Sequence, residues 1–193
     1  IDKKLTCESF NIPYKKKKIL ISGNIFYKNL DTSIKVLHEL IKKRDDIVLI
    51  HIGNNNEENG DKIFHKKIIN IPFLKREELP KIYKISDILF YPSIYEGFGM
   101  PLLEAMSCGL PVVCSNNSSI PEVVGNAALM SNYNDINFFV ESIDELLSNS
   151  GLSKILKNKS LSRSKFFSIE KFNYNLIKLY KEELDKFKKI NQN

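Results

Sequence analysis

The chain has 193 residues, with 29 basic against 23 acidic side chains and a formal charge of +6. At 42% hydrophobic and 27% charged residues it can bury a core without disulfide or metal staples, which excludes wholesale disorder. No apolar run approaches the ~20 residues of a membrane span, and the amino end, IDKKLTCESF, has no apolar stretch of the secretory type.

The absent initiator Met predicts a domain cut from a longer, soluble protein. Cys7, Cys108 and Cys114 form no CxxC or other metal-ligand spacing. Their odd number and the lack of a leader predict a reducing cytoplasm, with Cys108 and Cys114 acting as small buried hydrophobes. His38, His51 and His65 are too scattered for a ligand set. The basic cluster Lys15 to Lys18 reads first as a solvated edge, with an anion-steering or membrane-surface patch as the alternative. No aromatic residues interleave with the basic runs in an RNP-like pattern, which argues against nucleic acid.

In chain order, Ile19 to Ile21 predicts a buried strand that runs into a loop at Ser22-Gly23. A helix capped by Asp31 or Thr32 follows, with Ile34, Leu37, Leu40 and Ile41 on one face and Lys42, Lys43 and Arg44 in its last turn. Ile47 to Ile52 is a second strand, stopped by Gly53 and the polar loop 54–61; Ile68 to Ile71 is a third. Glu77 to Ser86 predicts a helix with Pro80 in its first turn, followed by the strand Ile88 to Tyr91. Pro101 opens a two-turn helix that Gly109 stops. Val112 to Cys114 is a strand, Pro121 to Val124 a helical turn ended by Gly125, and Ala127 to Met130 a last strand. From Asp135 on the pattern is helical, ending in the amphipathic segment Ser168 to Lys188 with Ile169, Phe172, Leu176, Leu179 and Tyr180 on one face.

Apolar strands alternating with helices specify a parallel sheet covered on both faces, an α/β Rossmann-like three-layer domain without internal repeats. Ligands in such folds sit outside the carboxyl ends of the strands. Three loops lie there: Gly23 to Asn29, Pro72 to Arg76 and Pro92 to Met100.

The run Glu96-Gly97-Phe98-Gly99-Met100-Pro101-Leu102-Leu103-Glu104 sets two glutamates eight positions apart. Glycines let the backbone approach a ligand closely, and a helix start offers free N–H groups to an anion. Carboxylates accept hydrogen bonds from vicinal hydroxyls, as a sugar or ribose site requires. For Glu104 the competing account is an acid placed in a first helical turn for the dipole. Glu96, in a loop, has no such account.

These residues, with Ser86-Asp87, Tyr91-Pro92-Ser93, Ala105-Met106, Gly109-x-Pro111-Val112-Val113, Ser118-x-x-Pro121-Glu122-Val123, Gly23, Lys28-Asn29 and Phe167-Ser168, carry a resemblance. From about residue 18 to 185 the chain resembles the carboxy-terminal domain of glycosyltransferase family 4, retaining enzymes of the two-domain GT-B fold. In texture it is similar to the mannosyltransferase-like group of polysaccharide and lipopolysaccharide assembly.

The resemblance implies a transferase that moves a sugar from a nucleotide-sugar donor, such as GDP-mannose or a UDP-sugar, to a glycan or lipid-linked acceptor. It implies that Glu96 takes hydroxyls of the donor sugar, with the Gly97, Phe98 and Gly99 backbone against that sugar. Glu104 takes the ribose hydroxyls. The helix start at Leu102 and Leu103 faces the diphosphate, as does Lys28 from the loop opened by Gly23. Phe73 and Leu74 lie where the family holds the nucleobase. Glu96 and Lys28 are the residues expected to act in catalysis. The chain departs from the family where Asn24 stands in place of a common Arg, and where Ile71-Pro72 replaces a Gly.

No Asp-x-Asp occurs in the chain, so a metal-free reaction is expected, with leaving-group charge met by Lys28 and helix amides. The acceptor belongs to an amino-terminal domain absent from this chain, to which the carboxy-terminal helices would cross. The isolated half is expected to bind donor but not to turn over, in the cytoplasm or at the inner membrane face. The competing readings are a nucleotide-sugar epimerase of the same fold and a non-catalytic nucleotide or anionic-surface binding module.

Overall fold

The computed structural model describes residues 1–23, 26–53, 66–72 and 74–190. Asn24, Phe73, His65 and the loop 54–61 therefore lie outside the described residues.

Six strands form one sheet: β1 (Lys17–Ser22), β2 (Ile47–Ile52), β3 (Ile68–Ile71), β4 (Ile88–Tyr91), β5 (Val112–Ser115) and β6 (Ala128–Ser131). Their order is β3-β2-β1-β4-β5-β6, and every pairing is parallel. This is the expected Rossmann-like arrangement. The order reverses between β1 and β4, so a crevice opens where their carboxyl ends diverge. β4 and β5 are buried at every residue, which explains their apolar sequence up to the terminal Ser115.

Alternation along the strands feeds two cores. Leu20, Ile50, Leu89, Tyr91, Val112 and Cys114 face one side. There they meet α1 (Lys3–Ser9), α3 (Leu79–Ile85), α4 (Met100–Ser107) and α5 (Ile120–Val124). Ile19, Ile21, Leu49, Phe90 and Val113 face α2 (Leu30–Lys43) and α6 (Ile136–Ser148). Phe90 and Phe139 meet edge to face there, with ring centroids 5.0 Å apart. Of the cysteines expected inside, Cys114 is fully buried and Cys108 only half-buried.

Local chemistry moves several expected boundaries. α1 was not foreseen; Asp2 caps it by accepting from the Lys4 and Leu5 amides, and it buries Cys7. α2 is not capped by Asp31 or Thr32. It starts after Asn29, whose backbone is left-handed, while Asp31 pairs with Lys35 on the surface and Thr32 is buried inside the helix. α3 begins later than Glu77, because a turn from Lys75 to Glu78 is closed by the Glu78 carboxylate accepting the Lys75 amide. The stretch after Asp135 breaks at the extended residue Asn149, which ends α6 and caps α7 (Ser150–Ser164) through the Leu152 amide. α8 (Ile169–Ile190) follows a short 3₁₀ turn, and Ile169, Phe172, Leu179 and Tyr180 stand exposed on it.

Candidate active site

Two loops flank the crevice between β1 and β4. The first leaves β1 at Gly23 and ends in a 3₁₀ turn, Phe26–Lys28, before Asn29. Gly23 has φ +94°, and a Cβ there would lie 2.8 Å from Lys28 Cγ, so only glycine admits the Lys28 stem folded back over it. Asn29 is buried, and its amide donates to the carbonyls of Pro92 and Tyr133, both at 3.0 Å. Ile94 N–H donates to the Tyr27 carbonyl at 2.8 Å. The β1 loop is thus tied to the β4 loop and to the segment after β6.

The β4 loop carries Glu96. Its amide donates to Ser118 Oγ at 2.9 Å, and its carbonyl accepts from Ser119 Oγ at 3.0 Å. Ser115 Oγ donates to the Ser93 carbonyl. The carboxylate is 9% exposed, and its Oε1 accepts from Lys28 Nζ at 2.7 Å, Tyr91 OH at 2.8 Å and Ser93 Oγ at 2.6 Å. Among the described residues nothing bonds Oε2. Lys28 Nζ also donates to Tyr91 OH and lies 4.7 Å from the centre of that ring. Burial first, and then the bond to Glu96, push the Tyr91 phenol well above its ordinary pKa, so it stays a donor. The result is a nearly dry ion pair with one carboxylate oxygen unpartnered among the described residues.

Gly97 has open space where a side chain would be. Gly99, at φ +92°, leads into α4, and a Cβ there would meet Leu102 Cδ1 at 2.9 Å. The Leu102 side chain is buried in the core, and the amides of Leu102 and Leu103 already donate to the Gly99 carbonyl, at 2.9 and 3.4 Å. The amides of Gly97, Phe98 and Gly99 have no partner among the described residues. Phe98 meets Phe167 edge to face at 5.5 Å.

Glu104 is the fifth residue of α4, not in its first turn, so the helix-dipole account of this acid does not hold. Its Oε2 accepts from Tyr83 OH at 2.9 Å, and the residue lines a cavity of about 320 Å³ with Met100, Leu103 and Phe167. Leu74 is half-buried against the core beside α3. Sequence reasoning gave no role to Tyr91, Ser93, Ser118 or Asn29, although all four lie within the quoted motifs. A tyrosine in an otherwise apolar strand was the available signal. For Tyr83 there was none.

The fold and this cluster define a Rossmann-like domain with an acid–base pair at its switch point. The family model for glycosyl transferases group 1 matches residues 2–163. The chain belongs to that family. It is 43% identical over 109 residues to O-antigen chain mannosyltransferase B of Escherichia coli, covering 56% of this chain and 29% of that protein. In fold it is similar to a glycosyltransferase from Rickettsia africae (TM-score 0.81, 21% identity, 94% of this chain and 52% of that one). It is also similar to the C-terminal domain of a glycosyl transferase group 1 family protein, LpcC, from Francisella tularensis (TM-score 0.75, 22% identity, 87% of this chain and 94% of that one). The chain thus spans less than a third of the E. coli relative, but nearly all of the isolated Francisella domain.

Proposed function

We propose that this chain is the carboxy-terminal, donor-binding half of a retaining family 4 glycosyltransferase with the two-domain GT-B fold. The observation that carries the reading is the Lys28–Glu96 pair across the β1/β4 crevice, with Glu96 Oε2 and the amides of Gly97 to Gly99 without a partner among the described residues. The E. coli relative's name favours mannose as the sugar and polysaccharide or lipopolysaccharide assembly as the setting.

In this reading the nucleotide sugar lies across the crevice. Leu74 and Phe73 hold the base through the main chain, Glu104 holds the ribose, and Glu96 Oε2 accepts a sugar hydroxyl. The bond from the anomeric carbon to the diphosphate breaks, and its electron pair leaves with the nucleoside diphosphate. Lys28, the loop opened by Gly23 and the amides of Gly97 to Gly99 ahead of α4 meet that growing charge, while the Leu102 and Leu103 amides stay bonded to the Gly99 carbonyl. The acceptor oxygen bonds the anomeric carbon on the same face and passes its proton to the departing phosphate. Metal is not required, because the sequence carries no Asp-x-Asp to hold it. The acceptor, a glycan or lipid-linked chain, is held by a second domain that packs on the exposed apolar residues of α8. Placement at the inner membrane face goes with such acceptors; among the described residues no helix is long and apolar enough to cross a membrane.

Calorimetry with UDP, GDP, ADP and GDP-mannose in EDTA tests the reading. Saturable one-site binding of one nucleotide class is expected. No heat beyond dilution from any of them at millimolar concentration refutes it.

A further inference from the structure

His51 sits in the last turn of the sheet before its carboxyl edge, on β2, where it is 1% exposed. A valine or isoleucine would pack there without polar cost, so a buried imidazole needs partners. It has two, one on each neighbouring strand. Nε2 lies 3.3 Å from the Gly23 carbonyl, just beyond β1, and Nδ1 lies 2.9 Å from the Asn70 side-chain amide on β3. A backbone carbonyl can only accept, so Nε2 donates to Gly23. Nδ1 of the neutral ring then accepts, and Asn70 meets it with its amide NH2 after a half-turn of the side chain that puts Oδ1 there.

Gly23 is where this brace acts. Its N–H donates to the Ile52 carbonyl at 2.9 Å, and its own carbonyl takes the His51 proton. Both peptide planes around the glycine are therefore anchored to β2. At φ +94° a glycine has more freedom than any other residue, so without the second anchor the following peptide could turn. The Lys28 stem lies directly over Gly23, and its amine reaches Glu96 from there.

We propose that His51 is a positioning residue for Lys28: by holding the Gly23 carbonyl it sets where the Lys28 amine meets the diphosphate of the donor. The inference rests on the donor-binding reading for the ligand, but not for the brace itself.

His51→Gln keeps an amide nitrogen near the place of Nε2, His51→Asn keeps one only near Nδ1, and His51→Leu keeps neither. GDP, UDP and the matching nucleosides are titrated into the four proteins. Diphosphate affinity is expected to fall about three- to tenfold in His51→Leu and His51→Asn, the loss of one hydrogen bond, and to be largely restored in His51→Gln. Nucleoside affinity is expected to stay constant across the series. Equal losses for nucleoside and diphosphate, or no loss, overturn the proposal. A second readout needs no ligand: amine labelling followed by mass spectrometry. Lys28, 14% exposed, is expected to be protected in the native chain and His51→Gln, and labelled faster in His51→Asn and His51→Leu. If the native chain binds no nucleotide, the donor reading falls. Unchanged Lys28 protection across the series then overturns the brace by itself.

Discussion

Glu96→Gln separates the two tasks assigned to one carboxylate. Oε1 holds Lys28 with the help of Tyr91 and Ser93, while Oε2, without a partner among the described residues, is the oxygen that the proposed reading gives to a sugar hydroxyl. Glutamine keeps the shape and removes the charge. The pair is nearly dry, with side chains 14% and 9% exposed, and removing one partner of such a pair costs about 3–5 kcal/mol. Lys28 keeps the Tyr91 hydroxyl and a stem long enough to reach water, so the lower end, about 3 kcal/mol, is expected in urea unfolding. A domain with a stability of about 5–15 kcal/mol stays folded after that loss.

Binding then divides by ligand. A bare nucleoside diphosphate meets a Lys28 no longer neutralised by Glu96, so its affinity is expected to hold or rise. The nucleotide sugar loses a charged hydrogen bond of about 1.5–3 kcal/mol, or about ten- to a hundredfold. Calorimetry of GDP against GDP-mannose, and UDP against a UDP-sugar, reads the ratio directly. Lys28→Met is the companion variant, and it is expected to weaken both ligands by a similar factor. Equal losses for nucleotide and nucleotide sugar in Glu96→Gln would refute the sugar contact and leave Glu96 as a holder of Lys28.

Tyr83→Phe removes the hydroxyl that holds Glu104 Oε2 at 2.9 Å. The preference for ribo- over 2′-deoxynucleoside diphosphates is expected to shrink by about three- to tenfold, and an unchanged preference would dissociate Tyr83 from ribose binding. Tyr83 and Tyr91 are both held protonated above the ordinary value of 10.0, by burial first and then by Glu104 or Glu96. A raised folded pKa means that this stabilisation is complete below pH 10 and is lost as pH climbs beyond it. Absorbance at 295 nm is therefore expected to show two of the eight tyrosines ionising only as the fold is lost, whereas titration of all eight near pH 10 would contradict their burial.

The layers and strands were legible in the sequence because each strand is an apolar run cut by a glycine, proline or polar turn. The boundaries that moved did so through side-chain chemistry that periodicity does not carry. Asn29 left the α2 start to Leu30 by turning its amide toward Pro92 and Tyr133, partners 63 and 104 residues away. α1 was missed because its one buried residue, Cys7, gives no repeat to read. Glu96 stood out as an acid in a glycine loop that no helix required. Its support did not: Tyr91 reads as one more aromatic in a buried strand, and Ser118 as one more loop serine. Only folding brings them to the same carboxylate.

The Lys28–Glu96 contact bears on the reaction as well as the fold. A free lysine at the crevice would be hydrated, and an incoming diphosphate would have to strip that water. Here the amine is already largely desolvated, 14% exposed and 2.7 Å from the Glu96 carboxylate. On the donor-binding reading proposed above, a donor would offer phosphate oxygens to Lys28 and a hydroxyl to Glu96 Oε2 at once. On that same reading the pairing would hold the amine near the position where leaving-group charge grows, so that little reorganisation would remain for the transition state. Gly23 and Asn29 hold the two loops that carry the pair, Gly23 by admitting the Lys28 stem over its backbone and Asn29 by donating to the Pro92 carbonyl.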